Sequence, residues 1–192
     1  MEPLFTPIES VIEQSPPWAA LLEGFYRRVG HPLPTLVRLR GEQLPQPYRR
    51  LLVHSRDMTP TLESYYNQPL GLTVLSRELE RDTGTYMREV VLSAAARPVE
   101  YGAIRILLEE FPPRTQRLIL KEDRPLGGIL QDERIAHFGW PQAFFRVTAD
   151  TRMMEYLRLE EPADLYGRRN VLLNGSRRLL AEVIEILAPV AP

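Results

Sequence analysis

The chain has no cysteine, which excludes disulfides, thiolate nucleophiles, Cys-ligated zinc and iron–sulfur clusters. It has no excess of either charge. The formal net charge is −1 over 192 residues, so neither nucleic acid nor an acidic membrane surface is an expected partner. No apolar run is long enough to span a bilayer. The three histidines, His31, His54 and His137, are far apart and form no HxH or HExxH pair, so no metal site is expected. A GxSxG element, a GxGxxG fingerprint and a GxxxxGK(S/T) loop are also missing, as are internal repeats and low-complexity segments. The N-terminal MEPLFTPIESVIEQSPP is acidic and broken by prolines, unlike a signal or transit peptide, and the expected location is cytoplasmic. The oligomeric state is left open.

What is present is an ordinary globular composition, 44% hydrophobic and 26% charged residues, in a length suited to one domain with a sizeable core. Residues 1–16 are expected to form an N-terminal arm and 17–192 a single domain. Eighteen prolines punctuate many short elements. Pro17 opens a helix with Trp18, Leu21, Leu22, Phe25 and Tyr26 at helical spacing, closed by Gly30. Leu36 to Arg40 suits a short edge strand, and Tyr48 to Val53 a short helix. Thr59 is the expected N-cap of the next helix, with Pro60 at its first position. Leu70 to Glu80 reads as a strand, and Asp82-Thr83-Gly84 as a hairpin turn. Thr115 to Lys121 has a helical pattern, and Pro125 suits the first position of another helix. His137 to Met154 is aromatic-rich and fits either a strand over Ala143 to Val147 or a flap over a pocket. Asn174-Gly175 is a hairpin signal.

The centre of the pattern is Thr85 to Ile106. Tyr86, Arg88, Val90 and Leu92 alternate and share a face that is apolar except for Arg88. Met87, Glu89, Val91 and Ser93 form the more polar, outward face. Arg88 is therefore a guanidinium aimed at the core, unable to lose its proton, and it requires an anionic partner from the protein or from a ligand. The alternative is an ordinary strand arginine with its head in water. In the second arm Glu100, Gly102, Ile104 and Ile106 share one face, and Val99, Tyr101, Ala103 and Arg105 the other. Gly102 in mid-strand marks a bulge or a close approach. The final strand is apolar on both faces, as a central strand should be, and each face carries one glutamate. Glu185 or Glu182 could meet Arg88, and the pattern does not choose between them. Arg168 and Arg169 read as a solvated basic pair.

The pieces DMT (Asp57 to Thr59), MREVVL around Arg88, RPVEYG ending at Gly102, RPLGGIL (Arg124 to Leu130), LYGRR (Leu165 to Arg169) and LLAEVIEILAP (Leu179 to Pro189) follow one another over about two thirds of the chain. In that order they resemble the chorismate pyruvate-lyase family, specifically its branch of chorismate-lyase-like proteins. The resemblance implies an α+β domain with an antiparallel sheet of about six strands flanked by helices. It implies Arg88 as the substrate-carboxylate arginine and Glu185 as the acid beside the enolpyruvyl ether. It implies Leu126 as a backbone contact to a carboxylate and Met58 as a pocket residue, and no metal or organic cofactor. The implied reaction removes pyruvate from chorismate, or from a related enolpyruvyl or carboxylated ring, to leave 4-hydroxybenzoate, a step of ubiquinone biosynthesis. The expected partner is a small anionic aromatic or cyclohexadiene carboxylate. Two features depart from the family. Ala103 stands where the lyases carry a second arginine, with Arg105 two residues on as its substitute, and the stretch between Leu130 and Leu165 is longer.

Three functions compete: a lyase, which is favoured because both Arg88 and Glu185 are present; a binding module for a small aromatic carboxylate, without chemistry; and a structural protein with Arg88 and Glu185 as an internal ion pair. Effector domains of some bacterial transcription regulators share the fold by analogy. No helix-turn-helix segment precedes the domain, so a regulator of this kind is expected to need a partner chain.

Overall fold

A computed structural model describes residues 16–190. The expected N-terminal arm, apart from Pro16, lies outside the described residues. The strands are β1 (Leu36–Leu39), β2 (Leu70–Glu80), β3 (Thr85–Ala94), β4 (Arg97–Leu107), β5 (His137–Thr148), β6 (Asp164–Asn174) and β7 (Leu179–Leu187). They form one antiparallel sheet in the order β1-β5-β6-β7-β4-β3-β2. The helices are α1 (Ala20–Arg28), α2 (Tyr48–Leu52), α3 (Met58–Tyr66), α4 (Pro113–Lys121), α5 (Leu126–Asp132) and α6 (Thr151–Leu157). Among the described residues no helix is long and apolar enough to cross a membrane.

Helices α1 and α6 cover one face of the sheet, over Tyr101, Ala103, Phe145 and Ile184. The other face is covered in two halves. Met58 and Leu62 of α3, with Leu51 and Leu52 of α2, pack over Leu92 and Leu187. Ile119 of α4 and Leu126 and Ile129 of α5 pack over Ile104, Ile106 and Val183. The functional candidates lie where these two halves meet.

Several expectations change. The sheet has seven strands instead of about six because the aromatic block of 137–148 is a full strand, not a flap. Phe145 and Val147 are buried there in the core beneath α1 and α6, and β1 covers only the end of β5, pairing Leu36–Leu39 with Phe144–Val147. The face of β3 read as outward is buried too. Glu89 accepts hydrogen bonds from Tyr101 Oη, from Arg152 Nη2 of α6 and, at 3.0 Å, from Ser76 Oγ. A carboxylate is buried there because every oxygen is satisfied, a condition that alternation along one strand does not reveal.

Helix α3 begins two residues earlier than expected, with Asp57 at the N-cap, so Thr59 and Pro60 lie inside its first turn. Asp57 makes no side-chain cap; its carboxylate accepts instead from His137 Nε2 at 2.9 Å. Pro125 is likewise the N-cap of α5, not its first residue. The last hairpin falls at the expected place, but as a four-residue loop. Asn174 Oδ1 accepts from the Ser176 and Arg178 amides at 2.9 and 3.0 Å, and the left-handed residue is Arg177, not Gly175.

Candidate functional site

The strands bring the candidates together in rows. Residues paired across antiparallel strands point to the same face. Arg88, Ile104, Val183 and Asn170 therefore form one row across β3, β4, β7 and β6. Val90, Gly102, Glu185 and Arg168 form the next, and Leu92, Glu100, Leu187 and Tyr166 the one after. These rows are the floor of a cavity. Its roof is Asp57 to Thr59 at the start of α3 and Pro125 to Gly127 at the start of α5. The space there not filled by protein atoms is about 560 Å³, open solvent included.

Gly102 keeps this floor low. A Cβ there would come within 3.2 Å of Val90 Cγ2 and 3.4 Å of Glu100 Oε1. The walls are apolar, with Met58, Leu72, Leu126 and Leu172 among them.

Arg88 is 2% exposed. Among the described residues its Nε and Nη1 have no hydrogen-bond partner. Burial lowers its affinity for its proton, against the pull of Tyr86 and Glu122, and a guanidinium with unpartnered donors inside a protein is held at a cost in free energy. Asn170 Oδ1 and Glu100 Oε2 are also buried without partners. Burial first, and then the neighbouring Glu185, push the Glu100 carboxyl well above the usual carboxylate range, against the pull of Arg168.

Arg168 is the opposite case. It is 0% exposed, and its guanidinium is fully engaged. Nε donates to Glu185 Oε2. Nη1 donates to the carbonyls of Leu52 at 3.1 Å and His54 at 2.9 Å, and Nη2 to that of Arg56 at 3.1 Å. It ties the segment after α2 to the middle of the sheet. His54 lies beside it, Nδ1 3.3 Å from Nη1. Burial and this neighbouring charge push the imidazole down to about 4, so Nδ1 is an acceptor.

Met58, Arg88, Gly102, Leu126 and Glu185 thus line one cavity. Arg105 does not. It pairs with Glu182 in the register of β4 and β7, one residue out of phase with the floor, and so projects from the other face. There Nη2 donates to Glu182 Oε2 at 2.5 Å, and Arg169 Nε donates to Glu182 Oε1 at 2.8 Å. It cannot replace a second pocket arginine. The partner of Glu185 is Arg168, not Arg88, so the expected internal Arg88–Glu185 pair is corrected, and the basic pair read as solvated is in fact one buried and one ion-paired arginine. Glu185 Oε2 accepts from Arg168 Nε. Glu100 and Asn170 were missed, although Glu100 shares its strand face with Gly102 by plain alternation. The His54 and His137 side chains form hydrogen bonds, and among the described residues no group of metal-ligating side chains is present.

No family model matches the sequence, and no curated protein matches it. Solved structures do. The chain is similar to PhnF from Mycobacterium smegmatis, with a TM-score of 0.55 and 10% identity, over 71% of this chain and 65% of that one. It therefore spans less than two thirds of PhnF. It is also similar to the effector domain of PhnF, with a TM-score of 0.52 and 10% identity, over 69% of this chain and 88% of that one. A weaker likeness, with a TM-score of 0.49 and 13% identity over 62% and 84% of the two chains, is to the ligand-binding domain of a GntR-family transcriptional regulator from Bordetella bronchiseptica. Such low identity establishes the fold alone: α+β with a seven-stranded antiparallel sheet, of the chorismate lyase-like kind. The expected lyase activity, with its chorismate substrate, its pyruvate and 4-hydroxybenzoate products and a place in ubiquinone biosynthesis, is corrected. No lyase family model matches, the fold is shared with an effector domain, and the glutamate assigned as the acid is bound to Arg168.

Proposed function

We propose that this chain is a small-molecule-binding domain without chemistry of its own, which takes the carboxylate of a small, largely apolar ligand on Arg88. The binding unit is the single domain expected over 17–192. One observation carries the reading: a buried arginine lines a cavity, and among the described residues its Nε and Nη1 have no partner. A carboxylate supplies both the missing charge and acceptors for the guanidinium donors. Met58 and Leu126 supply apolar walls suited to a ring, and Gly102 leaves room beneath it. The fold shared with the effector domain of PhnF supports a binding role.

Calorimetric titration of benzoate, 4-hydroxybenzoate and a cyclohexadiene carboxylate into the intact chain tests this. Binding to the unaltered protein should weaken by about a hundredfold in Arg88→Met, the worth of a charge-assisted bidentate contact. Equal affinities in the two proteins would remove Arg88 from recognition. Chorismate added to the protein should release no pyruvate.

A further inference from the structure

Arg88 and Glu100 aim a cation and a carboxyl into one cavity and do not meet. Arg88 pairs with Ile104 across β3 and β4, and Glu100 lies four residues along β4 on the same face. At roughly 3.3 Å per residue their rows are about 13 Å apart. The row between them holds Val90 and Gly102, and Gly102 has no side chain to fill it. The Glu100 carboxyl leans over this gap, its Oε1 3.4 Å from the place of a Gly102 Cβ. Glu100 is 3% exposed, and its Oε2 is unpartnered. The other carboxylates lining the cavity are committed, Glu185 to Arg168 and Asp57 to His137. Unmet donors therefore stand at one side of the gap and an unmet acceptor at the other. Asn170 Oδ1, at the far end of the Arg88 row, is a second such acceptor.

We propose that the ligand is a small zwitterion, its carboxylate on Arg88 and its amine on Glu100. This rests on the carboxylate reading of Arg88 and adds the other half of the ligand. An ammonium has three donors and no acceptor, the complement of the unmet Glu100 oxygen. A hydroxyl brings one donor and no charge. In the empty cavity burial and Glu185 push the Glu100 carboxyl well above the usual carboxylate range. An ammonium beside it favours the ionised form, so binding releases one proton. A ligand with a carboxylate alone leaves the Glu100 oxygen buried and unmet.

Three matched probes decide the question: 4-(aminomethyl)benzoate, 4-(hydroxymethyl)benzoate and 4-ethylbenzoate, titrated calorimetrically into the intact chain at neutral pH in phosphate and in Tris. The aminomethyl compound should bind about ten- to a hundredfold more tightly than the ethyl compound. Its enthalpy should differ between the buffers as the release of one proton requires. Glu100→Gln should remove both the preference and the proton release. If the ethyl or hydroxymethyl compound binds the unaltered protein as tightly as the amine, or if the enthalpy is independent of buffer, the zwitterion is wrong. In that case loss of binding in Arg88→Met still upholds the carboxylate reading, whereas failure of all three probes to bind overturns both. The buffer comparison needs no variant, so it decides even where Glu100→Gln does not fold.

Discussion

Arg168 and Glu185 stand directly opposite one another on β6 and β7, and the Nε of the arginine donates to the carboxylate deep under the helices. The same guanidinium holds three backbone carbonyls of the 52–56 segment. Removing the cation leaves a buried carboxylate and three unsatisfied acceptors. Arg168→Met should therefore lose about 3–5 kcal/mol of stability, measured by urea denaturation. Glu185→Gln should lose about 1–2 kcal/mol, since its amide oxygen still accepts from Nε. A loss below about 1 kcal/mol in Arg168→Met would show that the pair does not anchor the fold.

Arg88 should behave in the opposite way. With no ligand bound its burial is only partly offset by Tyr86 and Glu122, and Arg88→Met replaces it with an apolar side chain beside apolar walls. The ligand-free variant should be more stable by about 1–3 kcal/mol, seen as a raised urea midpoint with an unchanged slope. A destabilised variant would mean that Arg88 holds the structure together instead of serving a ligand.

The two half-buried histidines give stability opposite slopes with pH. The His54 value is lowered to about 4 in the fold, so its contribution is fully present above its unfolded value of about 6.5 and is lost as pH falls toward 4. The His137 value is raised by its hydrogen bond to Asp57. Its contribution is present below the unfolded value and is lost as pH rises through the folded one. His54→Gln should flatten the acid side of the stability profile, and Asp57→Asn the side above neutrality. Proton NMR titration of the two imidazoles checks the directions independently.

Gly102→Ala and Arg105→Ala test which face of β4 is the functional one. The added methyl would crowd Val90 and sit under the Glu100 carboxyl, so Gly102→Ala should weaken carboxylate binding while changing stability by about 1 kcal/mol or less. Arg105→Ala should leave binding unchanged, because its side chain lies across the sheet with Glu182. As that arginine is partly exposed, its loss should cost no more than about 1 kcal/mol. A fall in affinity in Arg105→Ala would contradict the face assignment.

The sheet and its inward arginine were legible in the sequence because alternation is a property of one strand at a time. Tyr86, Arg88, Val90 and Leu92 share a face whatever their neighbours are, and the same holds for Glu100 and Gly102. The twofold-apolar β7 likewise marked itself as central. The long β5 was not legible, since Gly139 and Pro141 interrupt its pattern and its burial depends on α1 packing over Phe145. Nor was the cap of α3, because Asp57 spends its carboxylate on His137, 80 residues away.

By itself the sequence determined that a permanent cation would face the interior of an antiparallel sheet beside a glycine that clears space. Only the tertiary structure decided which carboxylate each arginine meets. Register across β6, β7 and β4 gave Glu185 to Arg168 and Glu182 to Arg105 and Arg169, leaving polar atoms of Arg88 and Glu100 without partners among the described residues, on either side of a gap. Register is fixed by pairing between distant segments and by the packing of helices on both faces, and no local pattern encodes it.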